Sequence, residues 1–176
     1  MRSGLALIVR CVVLGALAAA MPRAPVMAIM GGGGSEQAPP PADDDYVAGK
    51  AAFEREDWQG VIDHMTRVID ERPWDDDAHN LMGFAYRKLG DYDQALKQYD
   101  RALALNPHHR GALEYLGEAY LELDRPELAK GMLDRLTVEC QRIAASTTDD
   151  GGQADCEEWQ DLNEAYQAYL AGGAGE

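Results

Sequence analysis

Gly49, Gly83 and Gly117 stand 34 residues apart, and the same shift carries Trp58 onto Tyr92 and Pro73 onto Pro107. It also carries Val61 onto Ala95 and Ala129, Met65 onto Tyr99 and Leu133, and Val68 onto Ala102 and Leu136. One register held over so many positions restricts the chain more than any single motif. A fixed period of this size means supersecondary units that cannot bury their apolar faces alone and therefore stack.

Each unit reads as two helices. In "DDDAHNLMGFAYRKLGDYDQALKQYDRALALNP", Leu81, Met82, Ala85, Tyr86 and Leu89 fall at helical spacing before Gly90 and Asp91 break the pattern. Tyr92, Ala95, Leu96, Tyr99, Ala102, Leu103 and Leu105 then recur at intervals of mostly three and four, until Asn106 and Pro107 end the run. Triple aspartates, Asp43 to Asp45 and Asp75 to Asp77, sit where the first helix of a unit begins. Carboxylates there cap free amides and oppose the positive end of the helix, so no cation is needed to explain them. Gly83 and Ala95 are expected to face each other across the turn, letting the two helices approach, with Tyr86, Tyr92 and Tyr99 filling the space around them.

These residues resemble the tetratricopeptide repeat (TPR) family. The second unit carries Gly83, Tyr86, Gly90, Tyr92, Ala95, Tyr99, Ala102 and Pro107 at the signature places. The first unit departs at Ala52, where an aromatic is usual and Phe53 lies next door, and at Val61, which replaces the packing alanine. The third has Pro126 at the aromatic position that opens its second helix and Gln141 at the terminal proline. The resemblance implies an all-α fold, an α-solenoid of about three helix-turn-helix units at 42–75, 76–109 and 110–145. With a C-terminal capping helix at about 155–171, the array spans 42–171.

The resemblance also implies a protein-interaction scaffold whose concave face is lined by the first helix of each unit. Carried over residue by residue, that groove is Tyr46, Lys50, Phe53, Asn80, Phe84, Arg87, Lys88, Glu114, Glu118 and Leu121. Aromatics with Lys50, Arg87 and Lys88 at one end, and Glu114 and Glu118 at the other, suit an extended peptide of both polarities. Solvated helix faces are the plainer alternative. The family's carboxylate clamp is not supported, because its lysine and asparagine positions hold Tyr46, Lys50, Leu81, Gly111 and Tyr115, and only Lys50 keeps the basic chemistry.

Residues 1–28 read as a secretory signal. Arg2 and Arg10 precede or open an apolar run from Cys11 to Met21, and small residues offer cleavage after Ala20 or Ala28. The run is short for a bilayer span, so stable membrane insertion after cleavage is not expected. Arg10 beside Cys11 is wrong for lipid attachment. Residues 29–41, rich in glycine and proline, follow as a flexible linker. A chain starting at Ile29 keeps 13 of the 16 basic residues and all 31 acidic ones, a net charge of −18. That charge disfavours nucleic acid and anionic membrane surfaces as partners. The expected compartment is the periplasm or the outside of a bacterial cell.

Export removes Cys11 and leaves an even pair, Cys140 and Cys156, in a compartment that permits disulfides. The second helix of the third unit is expected to run past Gln141 to about Ala145. "STTDDGGQAD" then reverses the chain into a helix striped by Trp159, Leu162, Tyr166, Tyr169 and Leu170, with Asp155 and Glu158 placed as a capping box. This helix covers the apolar end of the array with its aromatics buried, and the cysteines at the mouth of the hairpin staple it down.

Catalysis finds little support, and no enzyme activity or cofactor is expected. His64, His79, His108 and His109 stand in no nucleophile or zinc spacing, and a histidine pair in a turn supplies too few ligands for a metal site. Three function classes remain: an exported adaptor binding a peptide or envelope protein through the groove, a structural subunit of a larger envelope assembly using its acidic outer face, and a thiol-dependent redox protein. The last is disfavoured because the two cysteines lack C-x-x-C spacing.

Overall fold

In the computed structural model the described residues are 42–146 and 156–173, and they form seven helices and no strand. In chain order these are α1 (Ala42–Glu54), α2 (Trp58–Glu71), α3 (Asp76–Lys88), α4 (Tyr92–Leu105), α5 (Arg110–Glu122), α6 (Pro126–Ser146) and α7 (Glu157–Gly173). The all-α solenoid with a closing helix is therefore observed. The signal and the linker, residues 1–41, lie outside the described residues, as does the loop of 147–155 with Asp155 of the expected capping box. Among the described residues no helix is long and apolar enough to cross a membrane.

The repeat reaches down to the caps. Asp57 and Asp91, 34 residues apart, start the second helices of the first two units by accepting from the Gly60 and Gln94 amides. Asp75 and His109 start α3 and α5 in the same way, through the Ala78 and Ala112 amides. Each such cap satisfies an amide that has no partner inside the helix. Between the two helices of each unit the backbone turns through positive φ, at Glu56, Gly90 and Asp124. Glycine takes that conformation freely only in the second unit.

The triple aspartates divide their work instead of all capping. Asp75 caps α3, whereas Asp76 accepts from the Asn106 side chain and Asp77 faces His109 Nε2 at 3.1 Å. Asp45 is not a cap: it is fully buried and accepts from Arg67 Nε, with His64 Nδ1 also at 2.8 Å. Burial alone pushes its carboxyl up, but His64 and Arg67 outweigh that and hold it below the ordinary value.

Packing follows the glycine period with one substitution of partner. The atoms nearest Gly83 on α3 belong to the Tyr99 ring on α4, and a β-carbon there would sit 2.6 Å from it. Gly49 admits Met65 in the same register. Gly117 breaks it, because the atoms nearest a β-carbon there belong to Leu162 of α7. The third glycine thus seats the closing helix. Val61, Met65, Val68 and Met82 lie in one buried cluster, and Tyr99, Leu113, Leu116, Leu136 and Leu162 in a second, with Tyr86 packed against both.

α7 is held to the third unit by more than Leu162. Trp159 Nε1 donates to Thr137 Oγ1 at 2.8 Å, and Arg110 reaches Glu158 at 3.3 Å. The Cα atoms of Cys140 and Cys156 stand 5.9 Å apart, inside disulfide range. Of the expected apolar stripe only Leu162 is buried: Trp159, Tyr166 and Tyr169 are half-buried, with the Tyr169 hydroxyl donating to Asp124, and Leu170 is 45% exposed.

Candidate functional site

α1 touches α3, α3 touches α5 and α5 touches α7, while the backbones of α2, α4 and α6 do not approach one another closely. First helices that converge while second helices splay give a curved array with the odd-numbered helices inside. All ten residues expected in the groove lie on α1, α3 and α5.

A row of aromatic rings crosses that inner face. Phe53 packs edge-on against Trp58 with ring centres 5.5 Å apart and tilts against Phe84 at 4.8 Å. Phe84 continues the row to Tyr115 at 4.7 Å. Neither Trp58 nor Tyr115 was picked out as a groove residue by the sequence. Trp58 opens a second helix and joins because it leans over the turn. Tyr115 follows Glu114 on α5, and its place on the inner face depends on how α5 is rolled against α3. Tyr46 instead packs against the first core cluster, and burial together with Asp77 and Asp75 pushes its phenol up to about 12. Lys50 and Lys88 are exposed, with Lys88 Nζ 5.0 Å from the centre of the Phe84 ring.

Arg87 has a different job from the one its position implies. Its side chain is 4% exposed, it reaches Glu118 at 2.7 Å and Glu122 at 3.2 Å, and its guanidinium lies over the Phe84 and Tyr115 rings. Its two terminal nitrogens pair within the chain and pin α3 to α5. Glu118 is partly neutralised by the same contact. The periodicity identified the face, but only the approach of α3 to α5 decided that these charges pair.

Among the described residues, three clefts open along the inner face. The first, about 500 Å³, lies between Phe53, Trp58, Phe84 and Lys88, with Glu54 and Glu56 at its edge. A second, about 390 Å³, is bounded by Arg87, Lys88, Leu121, Ala165 and Tyr169 together with Glu118 and Glu122. The last, about 320 Å³, is walled by Asn80, Gly111, Glu114 and Tyr115 on one side and Glu157, Glu158 and Asp161 on the other. α7 therefore forms part of the groove wall as well as a lid, which a capping-helix reading does not anticipate. Glu114 is 7% exposed, and burial, then the carboxylates of Glu118, Asp161 and Glu158, push its acid up to about 8.

The paired histidines of the turn diverge. His108 faces Glu139 at 2.7 Å, holding that carboxyl below the ordinary value, while His109 caps α5 and faces Asp77.

Comparison with known proteins agrees with this architecture. Residues 76–109 match the family model of the tetratricopeptide repeat. The TPR2B domain of yeast Sti1, solved as a pHsp70 complex, superposes with a TM-score of 0.62 at 17% identity, over 74% of this chain and 96% of that one. The Sgt2 TPR domain from Aspergillus fumigatus gives 0.60 at 19% identity, over 77% and 83%. The first TPR of Spaghetti (RPAP3), bound to the HSP90 peptide SRMEEVD, gives 0.57 at 23% identity, over 74% and 93%. The second helical pair is thus a tetratricopeptide repeat, and the described array has the fold of the tetratricopeptide-repeat proteins.

Proposed function

We propose that this chain is an exported protein-interaction scaffold that holds an extended segment of a peptide or envelope protein in its inner groove, with no catalysis of its own. The observation that carries this reading is the row Trp58–Phe53–Phe84–Tyr115, flanked by open clefts on the concave side. Rings stacked along an inner face offer apolar contact to successive residues of an extended chain at little entropic cost. Structurally similar domains were solved with peptide partners, one as a pHsp70 complex and one bound to an HSP90 peptide. The ligand here differs in charge from the acidic SRMEEVD, because the far end of this groove carries Glu114, Glu158 and Asp161.

Affinity capture with the full chain from an envelope extract tests the reading. Phe84→Ala removes the ring that joins both halves of the row and is expected to weaken retention of the specific partner about tenfold or more, as truncation of a central aromatic anchor does. Charge reversal of Lys50 and Lys88 is expected to weaken it less, since both are exposed. A partner retained equally by all variants would place binding on the acidic outer face. That result would favour a structural subunit of a larger assembly.

The compartment follows from the N-terminal segment, and a disulfide between Cys140 and Cys156 is proposed with it. The bond would close a loop of the size that constrains an unfolded chain by roughly 3 kcal/mol. Protein purified from the exported fraction without reductant is expected to expose no free thiol at either position until denatured with reductant. Two reactive thiols in the native protein would remove the staple and weigh against an oxidising compartment.

A further inference from the structure

The geometry points to a cation-binding subsite between α5 and α7, in which Asn80, Glu114, Glu158 and Asp161 receive a lysine or arginine side chain of the bound segment. This rests on the groove reading and deepens it.

Two buried groups in the cleft lack partners. Asn80 is 6% exposed and lines the cleft, yet its Oδ1 accepts no hydrogen bond. Glu114 is equally buried and makes no hydrogen bond or ion pair with any described residue, although Arg87 pairs with Glu118 one turn away. Glu158 uses one oxygen on Arg110, and its Oε2 has no partner. Buried acceptors without donors are costly, and a group carrying several N–H donors relieves that cost for three side chains at once. Donors in the cleft are few: the Asn80 amide, the Tyr115 hydroxyl and the acid proton that Glu114 carries near neutral pH stand against the carboxylates of Glu157, Glu158 and Asp161.

The spacing selects the kind of cation. Among the described residues no three His, Cys, Asp or Glu side chains are grouped to hold a metal ion. The carboxylates are spread around about 320 Å³, which suits an ammonium or the wider guanidinium fork. Tyr115 forms part of the wall and also ends the aromatic row, so a segment lying along the rings delivers its side chain here. Glu114 is faced by Glu118 from its own helix, by Asp161 and Glu158 from α7 and by Arg87 from α3, and near neutral pH it is largely protonated. A cation entering the cleft favours its ionised form and expels that proton.

The test uses the full chain and simple probes: N-acetyl-arginine methylamide, the lysine equivalent, and the uncharged isostere N-acetyl-citrulline methylamide. Binding is followed by amide NMR shifts and by calorimetry at neutral pH in buffers of different ionisation enthalpy. The arginine probe is expected to shift signals of Asn80, Gly111, Glu114 and Glu158 and to bind about tenfold or more tightly than citrulline. It is also expected to release protons, and Glu114→Gln is expected to abolish that release. Asp161→Asn, at an exposed position that folding does not need, is expected to weaken binding, whereas Glu127→Gln on α6 leaves it unchanged. Equal binding of arginine and citrulline, or shifts caused equally by calcium chloride, would overturn the proposal. The groove reading fails separately: if the cationic probes bind here but Phe84→Ala retains its captured partner in full, the subsite stands and the groove does not.

Discussion

Tyr99→Ala is expected to destabilise the chain by about 3–5 kcal/mol, the range for removing a fully buried aromatic from a core. Among the described residues Tyr99 is the largest side chain with no exposure, and its ring occupies the space that Gly83 leaves on α3. It belongs to the cluster that also contains Leu113 and Leu136, so the void would open in the second unit and reach the third. In an array of three pairs each unit is stable largely through its neighbours, and losing the middle joint should loosen both flanks. Typical domains hold only about 5–15 kcal/mol in total, so a large part of the stability is at stake. Gly83→Val should act from the other side of the same contact, because a β-carbon 2.6 Å from a buried ring leaves neither partner room to move. Urea unfolding followed by far-ultraviolet circular dichroism reads both variants. A midpoint unchanged in Tyr99→Ala would show that the α3–α4 joint is not packed as described.

Arg87→Met is expected to cost roughly 3 kcal/mol at neutral pH, the low end for breaking a buried ion pair. The estimate sits low because Glu118 and Glu122 are 25% and 42% exposed and keep part of their hydration. Methionine retains the apolar stem but leaves those carboxylates and Glu114 along one side of the groove without a cation between them. The sign with pH follows. The penalty comes from ionised carboxylates, so it should be full at neutral pH and shrink as acidification protonates them. Arg87→Lys should recover only part of the loss, since one ammonium cannot reproduce a fork that reaches two carboxylates and lies over two rings. Urea midpoints at about pH 7 and at about pH 4, near the ordinary carboxylate range, separate the outcomes. A penalty that stays constant across that interval would mean that Arg87 matters for its packing alone.

The two contacts differ in how far the sequence revealed them. The repeat register placed Gly83, Ala95 and Tyr99 in one unit, with Tyr99 among the rings expected around the close approach. A helical period gives the face a residue occupies but not the height at which it meets the opposite helix, so it did not single out Tyr99 as the ring nearest Gly83. For Arg87 the repeat register shows a position on the inner face and a positive charge. Whether that charge faced a ligand or a neighbouring helix depended on Glu118 and Glu122 arriving from the next unit.

The 34-residue period, the breakers at Gly90 and Pro107 and the acidic helix starts at Asp43 to Asp45 and Asp75 to Asp77 are local signals, and they determined the helical pairs and their stacking. Each arises within a turn or two of chain, where backbone geometry and hydrogen bonding leave few alternatives. The structure alone decided that Gly117 seats Leu162, that α7 walls the groove, that Arg87 pairs across to α5 and that the Asn80 Oδ1 and Glu114 have no hydrogen-bond partner among the described residues. Those outcomes depend on distances between helices that are far apart in sequence. No period within one helix records where another element's side chains will stop.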